Sequence, residues 1–312
     1  MKSINDTLKG MSYPKKMEAE YEKFKDIVLQ DPDVKQFLEQ NRAFLNRKIF
    51  DQGLLKLFEF TTQSKQCEKC TGLKECVNMI QGYTPQLTLK NKQIIDLDYI
   101  RCPKKVLADM QKDKEKKVKS VYIPSELLNA SFLEIYEDDQ WRYKIKQQIW
   151  SFLKSYGVEK KLKGFYVHGG FGVGKTYILC AIANELADKG VSSMIVYFPE
   201  FIRELKSVMN NEIAFNEKLD AAKNTPILML DDIGAESMTS WMRDEILGPI
   251  LQHRMLDYLP TFFTSNLNLT ELLRHYTYSQ KGEEEGIKAQ RILERIKYLT
   301  NEIELVDVNR RN

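Results

Sequence analysis

The run GGFGVGKT, Gly169 to Thr176, fits the pattern G-x-x-x-x-G-K-S/T. Glycines at 169, 170, 172 and 174 let the backbone curl until its N–H groups, including those of Phe171 and Val173, point at phosphate oxygens. A helix starting near Lys175 adds the positive end of its dipole. In this pattern Lys175 reaches the β and γ phosphates of ATP, and the Thr176 hydroxyl holds Mg2+. A second chemical signal is PILMLDDIG, an apolar run ending in Asp231 and Asp232. Asp231 is the expected magnesium partner, and Asp232 the group that orients or deprotonates an attacking water. Two solvated acids at a strand end are the plain alternative. LPTFFTSN ends in Thr264, Ser265 and Asn266. The Asn266 amide is the candidate for positioning the same water, while Thr264 and Ser265 could equally cap a helix.

These groups need a scaffold that brings separate chain segments to one edge. GFYVHGG, SSMIVYFPEF, TPILMLDDIG and LPTFFTSN read as strands, and helical segments lie between them. One of these is TYILCAIANELADKG, with Gly190 as its stop. Strands alternating with helices predict an α/β fold with a parallel sheet covered on both faces, with ligands at the carboxyl ends of the strands. From Pro14 to Phe60 the apolar spacing is helical, and LTLKNKQIIDLDYI reads as two short strands around Asn91 and Lys92.

At 312 residues the chain is long enough for two domains. Hydrophobic content of 43% beside 29% charged residues excludes a chain too polar to fold. No run of about 18 apolar residues occurs and MKSINDTLKG lacks a signal-peptide core, so a cytoplasmic protein without membrane contact is expected. A net charge of +3 does not by itself point to nucleic acid. Residues 103–120 hold seven lysines against three acids, which predicts a solvated basic linker between an amino-terminal domain, 1–102, and a nucleotide-binding domain, 121–312.

Cys67, Cys70 and Cys76 form C-x2-C-x5-C, Cys102 follows the expected hairpin, and Cys180 sits in an apolar helix as core. In a reducing compartment clustered thiols are metal ligands more often than disulfides. Four thiolates would form the closed tetrahedral shell that structural Zn2+ prefers. Buried thiols, or a redox pair at Cys67 and Cys70, are the other readings.

HGGFGVGKTYILCAIANELADKG, VYFPEFIRELK, LMLDDIGAESMTSWMRDEILGPILQHR and LPTFFTSN together resemble the AAA+ ATPases, and within them the DnaC/DnaI family of bacterial replicative helicase loaders. DDIGAE is shared with the transposon-encoded IstB ATPases. The resemblance implies a small, mostly helical zinc-binding amino-terminal domain, with Cys67, Cys70, Cys76 and Cys102 as ligands, that grips the replicative helicase hexamer. It implies self-association through the AAA+ domain, single-stranded DNA as a partner, and ATP hydrolysis acting as a switch in primosome assembly. It also implies an arginine finger reaching a neighbouring subunit's nucleotide. Arg295 is the expected finger, with Arg291 four residues away on the same helical face, and Arg310 or Arg311 is the candidate second sensor. The rival readings are an IstB-type transposition regulator, a P-loop phosphotransferase, and an adaptor with a dead ATP site.

Overall fold

The computed structural model describes residues 15–63, 70–135, 140–278, 285–306 and 309. The chain divides into two compact units, 1–111 and 112–312.

In the first unit the helical spacing yields α1 (Lys15–Gln30), α2 (Pro32–Gln40) and α3 (Arg47–Thr61). Each of the last two starts at a side-chain cap. The Asp31 carboxylate accepts the Asp33 and Val34 N–H groups, and the Asn46 side chain accepts that of Ile49. The hairpin β1 (Tyr83–Lys90) and β2 (Ile94–Arg101) is antiparallel. Its turn is where the sequence indicates: Asn91 and Lys92 both adopt positive φ, and Gln93 N–H closes on Lys90 O at 3.0 Å. Val28, Val34, Leu54 and Leu57 form this unit's core with Ile95 and Leu97 of the hairpin. A side chain at Gly53 would collide with Ile95, so the glycine lets α3 settle on the sheet.

The residues expected to link the domains form a helix and a short strand. Residues Pro103–Lys117 form helix α4, which has no buried residue and contains the division between the units. Val118–Val121 then forms β3, an edge strand of the main sheet.

The second unit continues with α5 (Gln140–Ser155), β4 (Gly164–Gly169), α6 (Lys175–Asp188), β5 (Ser193–Tyr197), α7 (Phe198–Ser207), α8 (Glu212–Asn224) and β6 (Ile227–Asp231). A π-helical turn, Met242–Leu247, leads into α9 (Gly248–Leu256), followed by β7 (Thr261–Ser265), α10 (Leu269–Thr277), α11 (Gly286–Leu299) and β8 (Thr300–Leu305). The six strands form one parallel sheet in the order β3-β5-β6-β7-β4-β8. Alternate side chains feed two cores: Tyr166 and Phe263 on the face with α7, α9 and α11, and Val167 and Phe262 on the face with α5 and α6. The four strands read from sequence are its centre; β3 and β8 add its two edges. Among the described residues no helix is long and apolar enough to cross a membrane.

Candidate functional site

Because β7 lies between β6 and β4, three consecutive strand ends deliver Asp231, Asn266 and the loop Gly169–Thr176 to one place. The loop's tightness comes from its glycines. Gly174 caps α6 in the left-handed region, at φ 96°, and an added Cβ at Gly169 would run into the Leu305 carbonyl of β8.

Lys175 is only 8% exposed. Its ammonium donates to Gly169 O at 3.0 Å, Gly170 O at 2.7 Å and Asn266 Oδ1 at 2.7 Å. Asn266 in turn donates through Nδ2 to Asp232 Oδ1 at 3.0 Å. An ammonium only donates and a carboxylate only accepts, so the amide between them can face only this way. Asn266 therefore joins the lysine to the second aspartate.

Thr176 Oγ1 lies 2.9 and 3.0 Å from the two Asp231 oxygens. Thr264 Oγ1 donates to Asp231 Oδ1 at 2.6 Å while accepting the Asp232 N–H at 2.8 Å. Thr264 is thus a positioning group for both acids. Asp231 is 4% exposed, and burial raises its pKa against the lowering effect of the Thr264 and Thr176 hydroxyls. Asp232 stands at φ 61°, a conformation uncommon for a residue with a side chain and typical of functional turns. The oxygens of Thr176 and Asp231 form the hard donor set that suits Mg2+.

These groups line a cavity of about 1020 Å³ together with an apolar set, Tyr122, Ile123, Pro124, Leu127 and Ile135. That apolar wall is absent from the sequence reading, and so is Arg142 of α5, a buried arginine whose Nη2 holds the Val173 carbonyl of the loop at 2.8 Å. Neither carries a motif, and a periodic pattern cannot reveal them. Phe171 of the loop is 74% exposed.

Other expected residues lie elsewhere. Arg295 does not line this cavity. It sits half-buried on α11 and donates to Gly248 O at 3.0 Å, and it shares a surface groove with the exposed Arg291. Burial, with the nearby Arg291 charge, lowers the Arg295 pKa. Arg310 and Arg311 lie outside the described residues; the Asn309 side chain lies against Gly172 of the phosphate loop.

In the first unit the hairpin brings distant cysteines to its open end. Cys102 N–H donates to Gly82 O at 2.8 Å, Gly82 N–H points at Cys76 Sγ at 3.4 Å, and Lys105 N–H points at Cys102 Sγ at 3.4 Å. Lys104 Nζ bonds the Cys70 carbonyl. Cys67 lies outside the described residues, and among those described no three candidate ligands stand close enough to hold a metal.

A parallel sheet with this phosphate loop, a buried aspartate at β6 and a polar end on the strand between them defines an ATP-binding P-loop domain of the AAA+ class. The family model for IstB-like ATP binding proteins matches residues 98–306, and that for the amino terminus of primosomal protein DnaI matches residues 1–99. The chain belongs to the DnaI family of replicative helicase loaders. The replicative helicase loader DnaI of Bacillus subtilis (strain 168) is 47% identical over 312 residues, the whole of both chains. A DnaI crystal structure is 50% identical with a TM-score of 0.56, covering 64% of this chain and 99% of that one. A primosome component from Streptococcus pyogenes serotype M3 is 36% identical with a TM-score of 0.54 and the same coverage of each.

Proposed function

We propose that this protein is an ATP-controlled loader that binds the replicative DNA helicase hexamer and delivers it to single-stranded DNA during primosome assembly. The observation that carries this is the joined set Lys175, Thr176, Asp231, Asp232 and Asn266, built into a chain similar along its full length to a helicase loader. The loop amides and Lys175 bind the triphosphate. Thr176 and Asp231 hold magnesium, which when bound offsets the negative charge of the phosphates. The apolar wall Ile123–Leu127 leaves room for a base beyond the phosphates. Asp232, steered by Asn266, orients the attacking water, and Arg295 of a neighbouring copy supplies positive charge at the γ phosphate, with Arg310 sensing it from within the same subunit. Hydrolysis serves as a release switch, since changing a partner's state needs differential affinity more than speed.

The amino-terminal unit docks on the helicase. The zinc reading of Cys67, Cys70, Cys76 and Cys102 draws support from the hairpin, which ties both Cys76 and Cys102 to Gly82 despite their separation in sequence. Metal would add folding energy to a small domain. The domain limits 1–102, 103–120 and 121–312, self-association and a cytoplasmic location belong to the same reading.

Capture of the cognate replicative helicase by the intact chain, with and without ATP and magnesium, tests the proposal. Nucleotide-dependent capture is expected. Absence of capture in both conditions favours the IstB-type transposition regulator, since the IstB-like family model matches residues 98–306.

A further inference from the structure

A buried acid stands behind the two aspartates. Glu236 is 7% exposed, and its carboxyl meets donors from two different elements. Oε2 accepts the Gly234 N–H at 2.8 Å, and Oε1 accepts the hydroxyl of the fully buried Tyr276, on α10, at 3.2 Å. The neighbouring His275 places Nε2 at 3.1 Å from the Glu236 carbonyl oxygen. Side chain and backbone of Glu236 are thus both fastened to α10.

Gly234 belongs to the turn that presents Asp232. Asp232 stands at φ 61° and Gly234 at φ 86°, and Ala235 N–H closes on Asp232 O at 3.3 Å. Ile233 is stitched to β7 through Thr264 O at 2.9 Å and Ser265 Oγ at 2.6 Å. The bond to Glu236 joins the Gly234 N–H to a side chain that is itself tied to α10. From α10 the contacts continue. Arg243, fully buried, donates to Tyr276 O at 3.4 Å and pairs with Asp244 and Glu285, and both acids pair with Lys288 of α11 at 3.1 and 2.6 Å. Helix α11 also carries Arg291 and Arg295.

Removing a carboxyl from water is costly, and burial pushes this one up to about 7. An apolar side chain here would spare that cost but leave the Gly234 N–H and the Tyr276 hydroxyl without their acceptor. Retaining an acid makes physical sense if the turn must be held at a defined angle.

We propose that Glu236 is a positioning residue for hydrolysis: it clamps the turn bearing Asp232 to α10, so the direction of the Asp232 carboxylate follows α10 and, through Arg243, the arginine-bearing helix α11. This rests on the water-orienting role given to Asp232 above. It makes the hydrolysis rate, and not nucleotide affinity, the quantity that responds when a neighbour or partner moves α11.

The test uses the full chain, with steady-state ATP hydrolysis and, separately, binding of a non-hydrolysable ATP analogue with magnesium. Glu236→Ala is expected to lower kcat by roughly tenfold or more, as small misplacements near the reacting atoms do, with analogue affinity within about threefold. Glu236→Gln keeps an acceptor for Gly234 and can donate to the Tyr276 oxygen, so it restores most of kcat. Tyr276→Phe keeps the ring and loses the hydroxyl, so it falls between the two and serves as the test if the alanine variant does not fold. Wild-type kcat in folded Glu236→Ala and Tyr276→Phe overturns the inference. So does equal loss of kcat and analogue affinity in the glutamine and phenylalanine variants, the pattern of mere structural support. Asp232→Asn runs alongside. If it hydrolyses ATP at the wild-type rate, the role of Asp232 is wrong; if it is inactive while the Glu236 and Tyr276 variants behave as wild type, only the clamp is wrong.

Discussion

Glu236 also makes the pH dependence of stability readable at one residue. Its carboxyl is raised from 4.5 to about 7, chiefly by burial, with Asp232 raising it further and the Gly234 and Tyr276 hydrogen bonds opposing. His275, beside it, is itself lowered by burial. An unfolded chain releases the Glu236 proton near the ordinary value, whereas the folded chain keeps it until about pH 7. Between these pH values the folded state binds more protons, so its stability falls as pH rises. The loss is complete above the folded value and amounts to something on the order of 3 kcal/mol. Urea unfolding of wild type and Glu236→Gln at pH 5 and pH 8 should therefore show a larger drop in the wild type. Asp231 is raised by the same cause and contributes a slope of the same sign to both proteins, so the difference isolates Glu236. Equal drops would mean that Glu236 ionises like a solvated acid.

At the scale of elements, the site depends on how β6 and β7 are held at the end remote from the nucleotide. Arg254 of α9 does this, among the described residues, without a carboxylate partner. Fully buried, it donates to the carbonyls of Ala222, Lys223, Thr225, Pro226 and Pro260 and to Thr261 Oγ1. The last carbonyls of α8 lack intrahelical partners and carry the negative end of its dipole, so a cation is favoured there even though burial lowers its pKa to about 9. Arg254→Ala should cost about 3–5 kcal/mol by denaturant unfolding, and Arg254→Lys should recover only part, because an ammonium lacks the guanidinium fork. A cost under about 1 kcal/mol for the alanine variant would show that the strands are anchored otherwise. The π turn ahead of α9 has a related origin. Pro249 brings no N–H to the helix, and the Gly248 carbonyl beside it is taken by Arg295. The residue expected to act on a neighbour's nucleotide thus begins from a defined place on its own chain.

For the whole molecule, the division at residue 111 and the two family matches meeting at residues 98–99 lead to a prediction about independence. Lys175→Ala should abolish the heat of ATP binding in calorimetry while metal content by elemental analysis stays at the wild-type value. Joint loss of both would mean that the units do not fold separately. Much of this organisation was legible in the residues alone: the phosphate loop, the acid pair, Asn266, the Asn91–Lys92 turn and the central strands all follow from residue types whose demands are local. Glycines permit a tight loop, apolar runs make buried strands, and acids end them. What only the tertiary structure decided was which of these pieces meet. Thr176 finds Asp231 across 55 residues and Lys175 finds Asn266 across 91, and no short pattern records such distances. The edge strands β3 and β8, the apolar wall at Ile123, Arg142 beneath the loop and the Glu236 clamp are all defined by strand order and packing, which are properties of the assembled sheet and of no single stretch of chain.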